Sequence, residues 1–275
     1  MPELAEVQTV LDTLQEQLGY FTIEDVEVCY ENLIATSHPY EFIQTMKGKR
    51  VHAFLRYGKY LMFDLETHMW IVHLRMEGKF YINEYPANQQ KHIHAIFTLA
   101  DGRKLYYHDT RKFGRMYLYT KTMNGTYPCL ATLGLDLFDP ALQSIDLYKR
   151  FKQKKYTLKQ ALLDQSNVAG IGNIYANEIC FALGYHPETK VARLSKKDCE
   201  RLLVEARRIL SEAIACGGTT IRSYTSSLGV DGRFQIQLKV HDRKEEACKV
   251  CGDKIVKCFV AQRGTYYCPT CQKRK

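Results

Sequence analysis

Long hydrophobic runs are missing from the 275-residue sequence, and so are internal repeats and low-complexity segments. No stretch is apolar enough to span a bilayer, and no signal peptide precedes Glu3, so we expect neither a membrane protein nor a secreted one. With 45% apolar and 25% charged residues, the composition is typical of a soluble globular protein. The length allows two domains that each bury a core, and we expect a cytoplasmic monomer.

Ten cysteines are too few, at this length, to indicate a secreted disulfide scaffold. Six are scattered along the chain, and these are Cys29, Cys129, Cys180, Cys199, Cys216 and Cys258. The other four have the spacing C-x2-C-x16-C-x2-C, which is typical of a tetrahedral structural zinc site, and these are Cys248, Cys251, Cys268 and Cys271. A small stability module or two disulfides is the alternative interpretation. A reducing compartment fits the scattered cysteines best.

Between the two cysteine pairs, residues 255–267 are rich in β-branched and aromatic side chains and predict a β-hairpin. We place its polar turn at residues 262–264, with Arg263 at the tip. This end of the chain is also basic: residues 241–275 hold nine Lys or Arg and four Asp or Glu, a net charge of +5 out of +9 for the whole chain. The charge favours a nucleic-acid partner, although a basic tail can also serve solubility alone.

The first segment predicts an amphipathic helix, because Leu4, Val7, Leu11, Leu14 and Leu18 recur at spacings of three and four. Six short apolar or alternating runs then predict strands at residues 54–56, 60–65, 69–74, 93–99, 104–107 and 116–119. Many short strands with turn signals indicate a β-sandwich or barrel, against which the first helix would pack.

After residue 140 the pattern changes and predicts helices at residues 142–151, 158–163, 174–183 and 196–215. Residues 217–232 follow, which are rich in Ser, Thr and Gly and have no clear periodicity. A segment this long without periodicity suggests a functional loop.

The N-terminus holds the first candidate for chemistry. Met1 precedes Pro2, a small residue, so we expect removal of Met1 to expose a secondary amine. A terminal amine has a pKa of about 8, so more of it is neutral near pH 7 than of a lysine, and amines form Schiff bases with carbonyl-like carbons. Glu3 could move protons, and Glu6 lies three residues further on. Alternatively, acidic residues in a first turn only complement the helix dipole.

Two further segments have side chains suited to nucleic acid. Residues 165–178 predict a glycine-containing turn before a helix that starts near Asn173, where free amides favour a phosphate. Residues 109–114 include Arg111, whose guanidinium can hydrogen-bond to a base edge, and Phe113, whose ring can insert between bases. Met76 is another candidate for insertion into the base stack. The alternatives are an ordinary turn for the first segment and core packing for Phe113 and Met76.

These segments occur together and in one order, and the combination resembles the bacterial formamidopyrimidine-DNA glycosylase (Fpg) family over essentially the whole chain. The resemblance rests on residues 2–7, Lys59 within 57–61, residues 73–78, 109–114, the turn at Asn173, residues 217–220, and the finger with 261–263. It implies an α+β fold: an N-terminal β-sandwich with a leading helix (1–135), a helical helix-two-turn-helix domain (136–240) and a C-terminal β-hairpin zinc finger (241–275). It also implies one structural Zn²⁺ on the four spaced cysteines.

The family's chemistry, carried over residue by residue, makes Pro2 the nucleophile, Glu3 the acid/base residue, Lys59 a catalytic lysine that contacts phosphate and Glu6 a supporting carboxylate. The resemblance implies that a damaged purine, 8-oxoguanine or a formamidopyrimidine, is flipped out of double-stranded DNA and excised through a Schiff base. Cleavage of the strand by β- and δ-elimination is expected to follow.

The same resemblance assigns the DNA contacts. Met76, Arg111 and Phe113 are expected to fill the space left by the flipped base, with phosphate contacts from His92, Asn173 and Arg263. Residues 219–234 are expected to close over the base. Ala5, Gln8 and the sequence of this loop depart from the commonest family pattern, which leaves lesion preference open.

Two alternatives remain open. An endonuclease VIII-like enzyme for oxidised pyrimidines shares the Pro-Glu start, the turn and the finger. A non-catalytic DNA-binding protein could use the same DNA contacts, although the presence of Pro2, Glu3 and Lys59 argues against it.

Overall fold

The computed structural model describes residues 1–123, 125–219 and 233–275. The chain divides into two compact units, one made of residues 1–131 and 217–233 and the other of residues 132–216 and 234–275. Among the described residues, no helix has both the length and the apolar character needed to cross a membrane. The division into three domains at residues 135 and 240 stays a prediction.

The first unit is a helix followed by two antiparallel four-stranded sheets. Helix α1 spans Leu4–Leu18, and α2 spans Pro39–Met46. One sheet has the strand order β1-β6-β7-β5, formed by Ile23–Val28, Ile93–Leu99, Lys104–His108 and Lys79–Ile82. The other has the order β2-β3-β4-β8, formed by Ala53–Tyr57, Tyr60–Asp64, His68–His73 and Arg115–Thr120.

Aromatic side chains from both sheets meet in the core. Trp70 on β4 is fully buried, and its ring centroid lies 4.6 Å from that of Phe63 and 4.7 Å from that of Phe97 on the other sheet. The buried face of α1, which includes Leu11 and Leu14, belongs to the same cluster. The predicted β-sandwich with a leading helix is therefore confirmed.

Three elements of this unit lie outside the sequence-based prediction. Strand β1 alternates poorly because Glu24, Asp25 and Glu27 interrupt it, and β5 has only four residues. Helix α2 has eight residues, and it starts where Pro39 occupies the first turn. Short elements like these give weak periodic signals.

The second unit contains four helices and one hairpin. The helices are α3 (Ser144–Lys152), α4 (Leu158–Leu163), α5 (Asn173–Leu183) and α6 (Lys196–Ala215). Helices α4 and α6 begin with capping boxes at Thr157 and Ser195, and α5 ends at Gly184 with a left-handed φ of 69°. The helical region and the C-terminal hairpin match the predicted fold class.

The hairpin, formed by β9 (Val256–Val260) and β10 (Arg263–Tyr267), corrects one detail of the prediction. Its turn is Ala261 and Gln262, which have φ values of 50° and 58°, rather than residues 262–264. Two successive residues with left-handed φ form a two-residue turn whose twist matches that of the flanking strands. Arg263 is thus the first residue of β10, paired with Val260, and it is exposed.

The aromatic core makes a stability prediction. Phe97→Ala removes a fully buried ring that contacts Trp70, so we expect it to lower the free energy of unfolding by about 3–5 kcal/mol in urea titrations. Phe113→Ala is the matched control, because that ring is 48% exposed, and it should change the value by less than about 0.5 kcal/mol. Equal losses in the two variants would contradict this description of the core.

Candidate active site and nucleic-acid interface

The N-terminal residues are held by one carboxylate. Glu3 lies just before α1, and its backbone N–H donates to Oε2 of Glu6 at 2.9 Å. The other oxygen, Oε1, accepts both the backbone N–H and the hydroxyl of Thr219, each at 2.9 Å. Glu6 is 5% exposed, so it joins the start of the chain to Thr219 out of contact with most solvent. Thr219 was expected only as the start of a loop, and its bond to Glu6 was not predicted.

Gly218 allows this contact. Its φ is +76°, and a Cβ added there would lie 3.1 Å from Cγ of Glu6. Any other L-residue would therefore be strained and would also press on the carboxylate.

Charged groups converge on the terminal amine, which Met1 carries in this structure. Burial lowers the pKa of this amine, the carboxylates of Glu3 and Glu6 oppose that effect, and the ammonium of Lys59 adds to it. Lys59 is 6% exposed and follows Gly58 in the tight turn between β2 and β3. The structure thus gathers Glu3, Glu6 and Lys59 around the N-terminus, where Pro2 is buried.

The segment that follows β4 presents Met76. Nδ1 of His73 accepts the backbone N–H of Arg75 at 2.9 Å, and Arg75 has a left-handed φ of 55°. Burial, reinforced by Arg75 and Lys59, lowers the pKa of His73 to about 3, so this ring is neutral at physiological pH. Met76 is only half-buried and does not belong to the core cluster.

The loop between β7 and β8 is shaped by the buried carboxylate of Asp109. Oδ1 accepts the backbone N–H of Arg111 at 2.9 Å, and Oδ2 accepts that of Gly114 at 2.8 Å. Arg111 and Phe113 are both exposed, with the guanidinium carbon 4.8 Å from the ring centroid. Phe113 is therefore not a core residue. The role of Asp109 was not predicted, because a single Asp between strands has no distinctive spacing.

His92 lies beside this loop. It ends the short 3₁₀ helix Ala87–His92, and its carbonyl accepts the backbone N–H of Asp109 at 3.0 Å. Its ring centroid is 5.6 Å from that of His108. His92 is half-buried, so part of its ring faces solvent next to the Arg111–Phe113 loop.

In the second unit, Asn173 connects a helix start to the finger hairpin. It is the first residue of α5, directly after Gly172, and its Nδ2 donates to the carbonyl of Gly264 at 3.2 Å. Gly264 is the neighbour of Arg263 on β10. The amide of Asn173 therefore fixes the hairpin that carries Arg263 against the positive end of the α5 dipole.

A buried carboxylate also anchors the segment that leads into the zinc finger. Glu178 on α5 accepts the backbone N–H groups of residues 239, 240 and 241 at 2.8, 3.0 and 2.8 Å. Burial raises the pKa of this carboxyl, and the three amides oppose that effect. Next to it, Asn177 bonds to the ring of His241 at 2.6 Å. Neither residue was predicted as a candidate, because these partners in residues 239–241 lie more than sixty positions away along the chain.

The four spaced cysteines form one cluster, with all ligand atoms within 4.8 Å of one another. The Sγ atoms of Cys248 and Cys271 are 3.9 Å apart, and those of Cys251 and Cys268 are 3.4 Å apart. Thiolates about 2.3 Å from a tetrahedral zinc lie about 3.8 Å from each other. A disulfide needs about 2.05 Å, and all of these cysteines are free. The donors therefore fit one structural Zn²⁺ and not two disulfides.

The predicted site residues thus fall into two sets. Pro2, Glu3, Glu6, Lys59, Met76, His92, Arg111 and Phe113 are in the first unit, and Asn173, Arg263 and the zinc ligands are in the second. Most of the predicted closing loop, residues 220–232, lies outside the described residues. Its flanking residues Thr219 and Arg233 form an isolated antiparallel bridge.

Three family models match the chain in sequence order. The formamidopyrimidine-DNA glycosylase N-terminal domain matches residues 1–116, the formamidopyrimidine-DNA glycosylase H2TH domain matches residues 133–225, and the zinc finger found in FPG and IleRS matches residues 245–274. The last match agrees with the four-cysteine geometry.

Curated relatives cover the whole chain. The formamidopyrimidine-DNA glycosylase of Bacillus subtilis is 41% identical over 276 residues and covers 100% of both chains. Those of Geobacillus kaustophilus and Listeria monocytogenes are 42% and 40% identical, each covering 99% of this chain and 100% of the relative.

Solved structures agree in fold. A complex between the Lactococcus lactis Fpg and an abasic site containing DNA has a TM-score of 0.90 at 32% identity, covering 99% of this chain and 100% of that one. MutM in complex with carbocyclic 8-oxo-G containing DNA has a TM-score of 0.89 at 32% identity, covering 98% and 99%. On these matches the chain belongs to the formamidopyrimidine-DNA glycosylase family, whose members are DNA repair enzymes with DNA glycosylase and AP lyase activity.

Proposed function

We propose that this protein excises oxidised purines, 8-oxoguanine and formamidopyrimidines, from double-stranded DNA through a Schiff base on Pro2 and then cleaves the strand by β,δ-elimination. The observation that carries the proposal is the convergence of Glu3, Glu6 and Lys59 on the terminal amine, next to the buried Pro2. The solved relatives bound to abasic-site and 8-oxo-G DNA support the same substrate class.

The reaction starts from the neutral amine of Pro2, which becomes the chain terminus when Met1 is removed. The amine attacks C1′ of the flipped nucleotide as the bond from C1′ to the base breaks, and the base leaves with a proton. Glu3 lies next to the amine in sequence and moves protons as the sugar ring opens to the Schiff base. Lys59 keeps the amine deprotonated and contacts phosphate.

The Schiff base draws electrons from the sugar, so a proton at C2′ becomes acidic. Loss of this proton expels the 3′ phosphate, and a second elimination expels the 5′ phosphate. The opened sugar is then hydrolysed from Pro2, which regenerates the amine. All of these steps need only the amine, acid/base groups and water, so the zinc takes no part in them.

The remaining residues hold the DNA. Asn173 and Arg263, joined through the Gly264 carbonyl, grip phosphates, and His92 adds a further contact. Met76, Arg111 and Phe113 occupy the gap in the stack, for which the exposed Arg111–Phe113 pair is suited. The Thr219–Glu6 bonds position the backbone of Glu3 for proton transfer.

Duplexes with a single lesion test the function. We expect strong cleavage of 8-oxoguanine opposite cytosine, and a covalent complex when borohydride is added, because borohydride reduces the Schiff base. Intact mass spectrometry should show a chain without Met1. Pro2→Gly should trap weakly at most. A preference for thymine glycol over 8-oxoguanine would instead identify an endonuclease VIII-like enzyme.

The pH dependence tests the role of Lys59. In this structure burial lowers the pKa of the terminal amine on Met1, and Lys59 acts in the same direction. We expect Lys59 to act likewise on the Pro2 amine, so Lys59→Gln should raise the pKa of that amine, and the pH at which trapping of an abasic duplex reaches half its maximum should move upward. In the unsubstituted protein and in the Lys59→Gln variant alike, trapping should be lost as the pH falls through the pKa of the amine. Lys104→Gln, an exposed lysine on β7, is the control. An unmoved or lowered midpoint would rule out this role.

Salt dependence tests Arg263. A phosphate contact carries no base information, so Arg263→Ala should weaken binding to damaged and undamaged duplexes alike and reduce the slope of log K against log salt by about 0.9. Lys254→Ala is the control, because it removes an equal charge from the same finger but from a lysine that pairs with Glu245. A loss confined to one sequence would argue against a phosphate contact.

A further inference from the structure

The second unit carries a group of cations that the proposed DNA contacts do not use. Residues 144–157 and 190–197 together contain nine Lys or Arg and a single acid, Asp146. In the described ranges, the recorded ion pairs of this unit involve other cations, those of residues 186, 208, 243, 254, 274 and 275. Among the described residues, the seven lysines of these segments form no salt bridge, whereas Arg193 donates to the carbonyl oxygen of the last residue, Lys275, at 2.9 Å.

Backbone contacts gather six of the lysines into one surface, which we call the basic surface and which consists of Lys152, Lys154, Lys155, Lys190, Lys196 and Lys197. Nζ of Lys152 donates to the carbonyl of Ala192 at 2.7 Å, and Nζ of Lys190 donates to that of Lys155 at 3.4 Å. All six lysines are exposed. Like charges on one surface repel one another, and a bound anion relieves the repulsion.

The basic surface and the proposed phosphate contacts at Asn173 and Arg263 use different residues. The first residues of α4 donate backbone hydrogen bonds to the carbonyls of Pro187 and Thr189, which follow the C-terminal end of α5. Asn173 is at the opposite end of this eleven-residue helix, about 16 Å away along its axis. Lys159, in the same first turn of α4, places its Nζ 3.5 Å from the carbonyl oxygen of Asn173, so the two regions are neighbours that use different residues.

An aromatic and an aliphatic side chain lie among the lysines. The ammonium groups of Lys152 and Lys196 are 5.1 and 5.9 Å from the ring centroid of Tyr148. Ile145, one helical turn earlier on α3, is 38% exposed. Between its phosphates, a DNA backbone presents only small deoxyribose rings to such a surface. Carboxylates with apolar side chains between them match both kinds of group.

We propose that the basic surface docks an acidic segment of a partner protein, in which aspartate or glutamate pairs with the lysines and an apolar side chain packs on Tyr148 and Ile145. This interaction is independent of the catalytic residues. It is also independent of the proposed lesion specificity, because none of the six lysines is among the proposed DNA contacts.

A short fluorescein-labelled peptide of aspartates interspersed with leucine and phenylalanine is the probe, and fluorescence anisotropy of the full-length, zinc-loaded protein is the measurement. The double variant Lys154→Glu/Lys197→Glu reverses two charges of the surface. The matched control, Lys49→Glu/Lys104→Glu, reverses two lysines of the first unit, of which Lys104 is exposed and Lys49 is half-buried. Lys154→Gln/Lys197→Gln serves if the charge reversals reduce folding.

We expect the surface variant to weaken peptide binding by about tenfold or more and the control to leave it unchanged. Replacing leucine and phenylalanine of the peptide with serine should also weaken binding. Affinity and cleavage with lesion DNA, measured on the same preparations, should not change, whether or not 8-oxoguanine is the preferred lesion. Unchanged peptide binding, or an equal loss of DNA affinity, would overturn the proposal, and the second result would assign the surface to DNA.

Discussion

The hydrogen bonds that Glu6 accepts are the constraint on which the candidate site of the first unit depends. One carboxylate accepts the backbone N–H of Glu3 and two donors from Thr219, although 213 positions separate Glu6 from Thr219. A glutamine would offer one acceptor oxygen and one donor nitrogen, so it could not serve both sides. The chain terminus, Glu3, which is the proposed acid/base residue, and Thr219 are thus positioned together by a single charged group.

The same device recurs at two other places. Asp109, 1% exposed, accepts two amides of the loop that presents Arg111 and Phe113, and Glu178, 4% exposed, accepts three amides of the segment before the finger. Burying a carboxylate is costly unless backbone N–H groups satisfy its oxygens. Here each carboxylate accepts backbone N–H groups that would otherwise be bonded within a helix or sheet. A segment without regular secondary structure therefore holds a defined conformation.

Sequence patterns predicted what depends on local spacing. The zinc ligands, the helix after Gly172 and the long strands of the sandwich follow from residues close together in the chain. Asp109 and Glu178 were not predicted, because their role depends on which backbone N–H groups the fold brings to them. In a sequence, an isolated acidic residue gives no sign of whether it is solvated or buried. The hairpin turn was misplaced by one residue, since Gly264 suggested a turn that Ala261 and Gln262 actually form.

The position of Arg263 depends on several weak elements acting together. Two five-residue strands are marginal as an isolated hairpin, so the zinc ligands on either side must close the finger. Closure alone does not orient the finger, and the amide of Asn173 and the carboxylate of Glu178 supply that orientation from α5. Because Asn173 and Glu178 both belong to α5, the start of this helix and Gly264 on β10 keep a fixed separation. For the proposed phosphate contacts, this means that Arg263 is in place before DNA arrives, and no ordering of the hairpin has to accompany binding.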